Sequence, residues 1–155
     1  MKARDVMSSP VITVRSDTPA HLAAALLVSH GFSAAPVVAG DGTIVGIATE
    51  ADLMRGRIAP EGWTIEQQPE PTVTEAMTPA PVVMDPDDDL ADVVALMLDR
   101  GFQSVPIVSG RNLVGIVSRR DVLRCVARRE LTAAEVYRRR LDMAGHDHGE
   151  PAPAN

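Results

Sequence analysis

The chain repeats itself, and that limits what it can fold into more than any other feature. At an offset of 70, Met7 falls on Met77, Asp17 on Asp87, Gly31-Phe32 on Gly101-Phe102, Pro36 on Pro106 and Val38 on Val108. Past Gly40 and Gly110 the offset drops to 69, so Gly46-Ile47 meets Gly115-Ile116 and Asp52 meets Asp121. A long period of this kind means two copies of one supersecondary unit, neither of which can bury its apolar face alone. The one lost residue lies between Asp41-Gly42-Thr43 in the first copy and Arg111-Asn112 in the second, in a turn, where length changes are tolerated.

The elements of each copy follow from local chemistry. Pro10 to Val14 and Pro81 to Met84 are short β-like runs. Asp17-Thr18-Pro19 and Asp85-Pro86-Asp87 are helix-start signals. Ala20, Ala23, Ala24 and Leu27, matched by Leu90, Val93, Val94 and Met97, form one apolar helical stripe per copy. Gly31 and Gly101 stand where a left-handed C-cap is wanted. Ala35-Pro36-Val37-Val38 and Val105-Pro106-Ile107-Val108 are the next strands, their prolines suited to a strand start or edge. Third strands run from Thr43 to Ala48 and from Asn112 to Val117. Second helices open at Thr49 and Ser118, each with a carboxylate three residues on, Asp52 or Asp121. That is a capping pattern at the positive end of a helix dipole, where phosphate also binds.

The expected class is α/β (α+β), with two β-α-β-β-α repeats packed about a pseudo-twofold axis. Repeat 1 is expected over residues 1–58 and repeat 2 over 76–129. Between them a linker, 59–75, carries Trp63 and Ile65. The capping box Thr132-Ala133-Ala134-Glu135 predicts an extra C-terminal helix over 130–144, and residues 145–155 are expected to be disordered.

Composition narrows the setting. One cysteine, Cys125, excludes an internal disulfide and a multi-cysteine zinc site. The start, Met1-Lys2-Ala3-Arg4-Asp5-Val6, is too polar for a secretory signal, and no apolar run approaches the ~18 residues of a spanning helix, so a cytoplasmic protein with no membrane partner is expected. A net charge of -6 makes nucleic acid an unlikely partner. Charge is nonetheless segregated: Asp85, Asp87, Asp88, Asp89 and Asp92 form an acidic block, while Arg119, Arg120, Arg124, Arg128, Arg129, Arg138, Arg139 and Arg140 crowd the last quarter.

In these residues the chain resembles the tandem cystathionine-β-synthase (CBS) domain pair, or Bateman module. The resemblance rests on Val6-Met7 and Ala76-Met77, on the segments Gly31 to Val37 and Gly101 to Ile107, and on the two Gly-x-x-[Ser/Thr]-x-x-Asp segments, and it covers about residues 3 to 129. It implies a regulatory module that binds adenosine nucleotides (AMP, ADP, ATP, or S-adenosylmethionine) between the repeats and signals to a regulated protein that the sequence does not identify. It further implies dimerisation into a flat disc and no required cofactor. Carried over by residue, it places ribose on Asp121 and Asp52 and phosphate near Ser118 and Thr49. The base falls to Val11, Ile12, Thr13, Phe32 and Ser33 in the first cleft, and to Val82, Val83, Phe102 and Gln103 in the second. Arg119 and Arg120 favour phosphate at the Asp121 cleft, whereas Glu50 and Ala51 stand in their place beside Asp52.

An enzyme is not expected, because no His-Glu-x-x-His, Gly-x-Ser-x-Gly or P-loop lysine motif is present. His146-Asp147-His148 on the tail is not read as a metal site. The remaining alternative is an adaptor with vestigial nucleotide sites that acts through its arginine-rich C-terminal helix. The helical stripes Ala20 to Leu27 and Leu90 to Met97 are read as apolar surface in excess of one chain's needs, and hence as the basis of a homodimer.

Overall fold

The computed structural model describes residues 1–57 and 70–147. The expected linker residues Trp63 and Ile65 lie outside that range, as does His148 with the rest of the tail.

The first half runs β1 (Val14–Arg15), α1 (Ala20–His30), β2 (Ala34–Val38), β3 (Ile44–Thr49) and α2 (Glu50–Arg57). After the undescribed stretch come α3 (Val73–Ala76) and β4 (Thr78–Pro79), then α4 (Leu90–Arg100), β5 (Ser104–Ser109), β6 (Asn112–Ser118), α5 (Arg119–Ala127) and α6 (Ala133–Asp147). Both glycine stops take the left-handed conformation that a side chain resists, Gly31 at φ 66° and Gly101 at φ 69°. Hairpin registers match: Pro36 faces Ile47 and Pro106 faces Ile116, and both ladders slip by one residue just after, at Val37/Val38 and Ile107/Val108.

The prolines sit inside their strands, not at the starts. The Pro106 carbonyl accepts from the Met84 N–H (3.1 Å). Its nitrogen therefore faces the same side of β5, where pairing begins only at Met84, and no ladder bond is lost. The first strands are shorter than expected. Val14 pairs in parallel with Val37, and Met84 makes one parallel bridge to Ile107, while Val11 to Thr13 and Val82 to Val83 remain outside any ladder.

The larger departure lies in what packs with what. β4 pairs with β3, giving the order β1-β2-β3-β4, so the segment that opens the second repeat completes the sheet of the first. Ser8 in turn bridges Ile116 in both directions (2.9 and 3.2 Å), so the segment that opens the first repeat lies on the sheet of the second. The cores follow the same exchange. Val73, with Ala76 and Met77, packs with Val14, Ala20, Ala23, Leu27, Val37 and Leu53, whereas Ala3, with Val6 and Met7, packs with Leu90, Val93, Met97, Val105, Ile107 and Val117. Val73, placed in the linker by its sequence, is a fully buried core residue.

Two glycines make room for the exchange. A Cβ on Gly46 would strike the Met77 sulfur and come 2.8 Å from the Thr78 carbonyl oxygen. A Cβ on Gly115 would strike the Met7 sulfur and come 2.7 Å from its Cγ. Each sequence-matched methionine thus presses on the glycine of the other repeat, with no space for a side chain between them.

Three carboxylates of the acidic block, Asp87, Asp89 and Asp92, fasten other segments of the chain. Lys2 and Arg4 pair with Asp87 and fix the crossing N-terminal segment. Arg139 pairs with Asp89 (3.3 Å) and Asp92 (3.6 Å), and Arg140 with Asp99 (2.7 Å), holding α6 on α4. Two of the arginines expected to serve an outside partner are therefore engaged within the chain. Helix α6 runs three residues past its expected end at 144, continuing through Gly145, since one glycine costs a helix only about 1 kcal/mol. Burial, more than the attraction of Arg139, raises the Asp92 carboxyl above its ordinary value. A carboxylate raised by folding opposes the fold above its folded-state value and ceases to do so below its unfolded one. Asp92→Asn is therefore expected to hold or raise the melting temperature at pH 7, with the difference vanishing near pH 3. A clear loss at pH 7 would show that the ion pair outweighs the burial.

The stripes on α1 and α4 are buried in their own cores, Ala20, Ala23 and Leu27 in one and Leu90, Val93, Val94 and Met97 in the other. They leave no surplus for a second chain. The exposed apolar surface is made by other residues, among them Leu22, Val28, Met54, Leu98, Leu123 and Val126.

Candidate functional site

The two strand-to-helix junctions are built alike. At the start of α5 the Asp121 N–H donates to Ser118 Oγ (3.2 Å), and the Ser118 N–H donates back to Asp121 Oδ2 (2.8 Å). At the start of α2 the Asp52 N–H donates to Thr49 Oγ1 (3.1 Å), and the Thr49 N–H to Asp52 Oδ2 (3.1 Å). Both are reciprocal capping boxes that satisfy helix-terminal donors. The carboxylates are buried, with only 5 % of Asp121 and 4 % of Asp52 exposed.

Each carboxylate has two further partners that the sequence reading missed. Arg124, one turn on, donates to Asp121 Oδ1 (3.2 Å), and Arg55 pairs with Asp52. From the crossing segment of the other repeat, Ser8 Oγ donates to Asp121 Oδ1 (3.4 Å) and Thr78 Oγ1 to Asp52 Oδ2 (3.3 Å). The arginines were legible as i, i+3 neighbours. The hydroxyls were legible only as residues following Met7 and Met77 at the repeat offset; nothing local says that they cross over. At the long end of the hydrogen-bond range, these hydroxyl contacts are the weakest that either carboxylate makes.

The other expected site residues divide. Val11, Ile12 and Thr13 connect Ser8, which touches Asp121, to Val14 in β1, and Val82 and Val83 connect the Thr78 strand to Met84. The Gln103 carbonyl accepts from the Arg119 N–H (3.0 Å) and the Ser33 carbonyl from the Glu50 N–H (3.0 Å). Phe102 and Gln103 therefore stand beside α5, and Phe32 and Ser33 beside α2, each pair next to the second helix of its own repeat. The register enforces this: Ser104 faces Ser118 and Ala34 faces Thr49, so the residue before each strand meets the first residue of its own repeat's helix. Phe32 is exposed and stacks on His30 (5.3 Å between centroids). Phe102 packs on the second core.

The two arginines before Asp121 also differ from each other. Arg119 turns back onto the end of α4, its Nε on the Phe102 carbonyl (3.3 Å) and Nη2 on that of Gly101 (3.4 Å), where a cation meets the negative end of the dipole. Arg120 is exposed and makes no ion pair among the described residues. Cys125 is buried in the second core, and burial first, then the neighbouring Glu130 charge, pushes its thiol up, away from nucleophilic use.

Two junctions of one design, related by an exchange of segments, are what the family model for the CBS domain matches at residues 3–58 and 73–128. The chain belongs to the CBS domain family. As a CBS pair it is similar to the CBS domain-containing protein YhcV of Bacillus subtilis, with 32 % identity over 112 residues, 72 % of this chain and 76 % of that one. Its backbone follows the CBS domain pair of protein MJ0100, solved with 5′-methylthioadenosine and S-adenosyl-L-methionine (TM-score 0.72, 28 % identity, covering 83 % of this chain and 98 % of that one). It follows CBSX2, solved with AMP, equally well (TM-score 0.72, 26 % identity, 84 % and 98 %). The CBS pair spans between 20 % and 76 % of the length of the curated relatives it matches. No helix among its described residues is long and apolar enough to cross a membrane.

Proposed function

We propose that this CBS pair is a regulatory module that binds an adenosine ligand at Asp121, at Asp52 or at both, and passes the bound state to a partner protein. One observation carries the reading: each half holds a buried carboxylate at a helix N-terminus, with its weakest contact supplied by a hydroxyl of the other half. A ribose hydroxyl is the same donor as Ser8 or Thr78 and takes its place, so binding changes how the crossing segment is held. Solved CBS pairs containing AMP, 5′-methylthioadenosine or S-adenosylmethionine support the ligand class.

At the Asp121 site Ser118 and Arg120 serve phosphate, and Val11, Ile12 and Thr13 serve the base. Arg119 serves the fold. At the Asp52 site Thr49, Val82 and Val83 take the corresponding places. The functional form is a homodimer in the cytoplasm, and the module is not itself a catalyst.

The test is the melting temperature with AMP, ADP, ATP and S-adenosylmethionine. A ligand at 100 times its Kd adds about 2.7 kcal/mol, and no response to any of the four rejects the reading. Arg120→Ala is expected to weaken ATP about tenfold or more, the loss of one charge-assisted bond, while leaving adenosine nearly unchanged. Equal losses for both ligands would assign Arg120 to the fold instead.

A further inference from the structure

Each opening segment does two things to the repeat it crosses to. Ser8 reaches the Asp121 carboxylate, and at the other end of the same segment the Met1 carbonyl accepts from the Leu90 N–H (2.9 Å), the first residue of α4. In the other half Thr78 reaches Asp52, and the Pro71 carbonyl accepts from the Ala20 N–H (2.9 Å), the first residue of α1. Each segment is therefore a strap from a buried carboxylate to the start of a helix, where it satisfies a donor that the helix leaves open. The strap Met1 to Ser8 is also stitched down between its ends. The Ala3 N–H donates to the Asp88 carbonyl (2.9 Å) and the Arg4 N–H to that of Pro86 (3.0 Å).

What the two straps meet is different. Thr72 bridges Pro19 and Lys2 bridges Asp89, in each case the residue just before the helix. Pro19 makes no side-chain cap. Asp89 does two jobs with one carboxylate: Oδ1 accepts from the Ala91 N–H (2.8 Å), and Oδ2 from Arg139 of α6 (3.3 Å). Ala3 of the strap and Val136 of α6 belong to one buried core. The strap from Asp121 thus ends on a residue that clamps α6. The strap from Asp52 ends beside a face of α1 that no helix covers among the described residues: His21 and Ala25 are exposed there, where the matching Ala91 and Ala95 of α4 are buried.

We propose that α6 is the output element of the Asp121 site. A ribose hydroxyl that takes the place of Ser8 frees one end of the strap, the strap then holds Asp89 less firmly, and α6 loosens on α4. Occupancy of the Asp52 site sends no such signal. The proposal rests on the adenosine-ligand reading and adds to it the element that carries the bound state and the site that controls it. Its first step bounds its size, since a ligand shifts an equilibrium only by its differential affinity for the two states. One long hydrogen bond of this kind corresponds to about a two- to fivefold change.

Amide hydrogen exchange of Ala133–Asp147 in the full chain, read by mass spectrometry, tests this. Whichever of AMP and ATP saturates the protein in calorimetry should speed exchange of that helix about two- to fivefold, because exchange reports the local opening equilibrium. The acceleration should persist in Asp52→Asn and vanish in Asp121→Asn. Without any ligand, Ser8→Ala should give the same acceleration and Thr78→Ala none, and nucleotide should add nothing further to Ser8→Ala. A nucleotide that binds yet leaves α6 unchanged, or slows its exchange, overturns the proposal and leaves the ligand reading standing. Equal effects of Ser8→Ala and Thr78→Ala overturn it as well, since the strap is then not the route. If neither AMP nor ATP binds, the ligand reading fails and the output role fails with it, whatever Ser8→Ala does.

Discussion

Gly46→Ala is expected to destabilise the protein by about 2–3 kcal/mol, the upper range for overpacking a close-packed interior. The added methyl meets the Met77 sulfur and, at 2.8 Å, the backbone oxygen of Thr78. A methionine can turn its end aside, but a carbonyl in the β3–β4 ladder moves only if the strand moves. Gly115→Ala is the internal control, because there the three atoms nearest the methyl all belong to the Met7 side chain, and about 1 kcal/mol is expected. Urea unfolding of both variants compares them directly. Equal losses would mean that β4 yields as easily as a side chain and that the crossing segment is loosely held.

Asp121→Asn should affect ligand and fold together. Asparagine keeps one acceptor for the Ser118 N–H, but removes the charge that Arg124 and the Ser118 and Ser8 hydroxyls share. Losing charge-assisted bonds at a buried site costs about 1–3 kcal/mol of stability. For an adenosine ligand the same loss corresponds to an affinity at least about tenfold weaker. Asp52→Asn is expected to cost less affinity for a phosphorylated ligand, since Glu50 and Ala51 replace the arginines beside it. Calorimetric titration with AMP, below the variant's melting temperature, measures this. An Asp121→Asn protein that melts lower yet binds as the parent does would make the carboxylate a capping residue alone.

Features that depend on a single residue's conformational needs were readable from the chain. Gly31 and Gly101 end their helices because left-handed backbone suits glycine. Ser118 with Asp121, and Thr49 with Asp52, announce capping boxes because the donors they satisfy lie three residues away. The 70-residue offset gave two alike halves for the same reason: it needs only comparison of the chain with itself. What lay beyond reach was pairing across the repeat boundary. Met7 matches Met77 equally well whether each stays with its own repeat or crosses to the other, because hydrophobic pattern reports which residues are buried and not against which sheet. Ser8 and Thr78 stayed hidden as partners of Asp121 and Asp52 on that account. The arginines show the complementary limit. Arg119 and Arg120 are adjacent and chemically identical, but a helix sends neighbours about 100° apart, one onto the end of α4 and the other into solvent.

The exchange of opening segments also bears on how such a chain could have arisen. A lone ancestral repeat would have had a strand to offer and an empty sheet edge to fill, and its own segment could not serve both ends. Two such molecules trading segments would have filled both edges. Joining the two genes end to end then turns a trade between molecules into a fold within one. By the same logic, cutting the present gene at the repeat boundary yields two products that each carry the other's missing strand; mixed together they should assemble, and apart each should be left with an open edge.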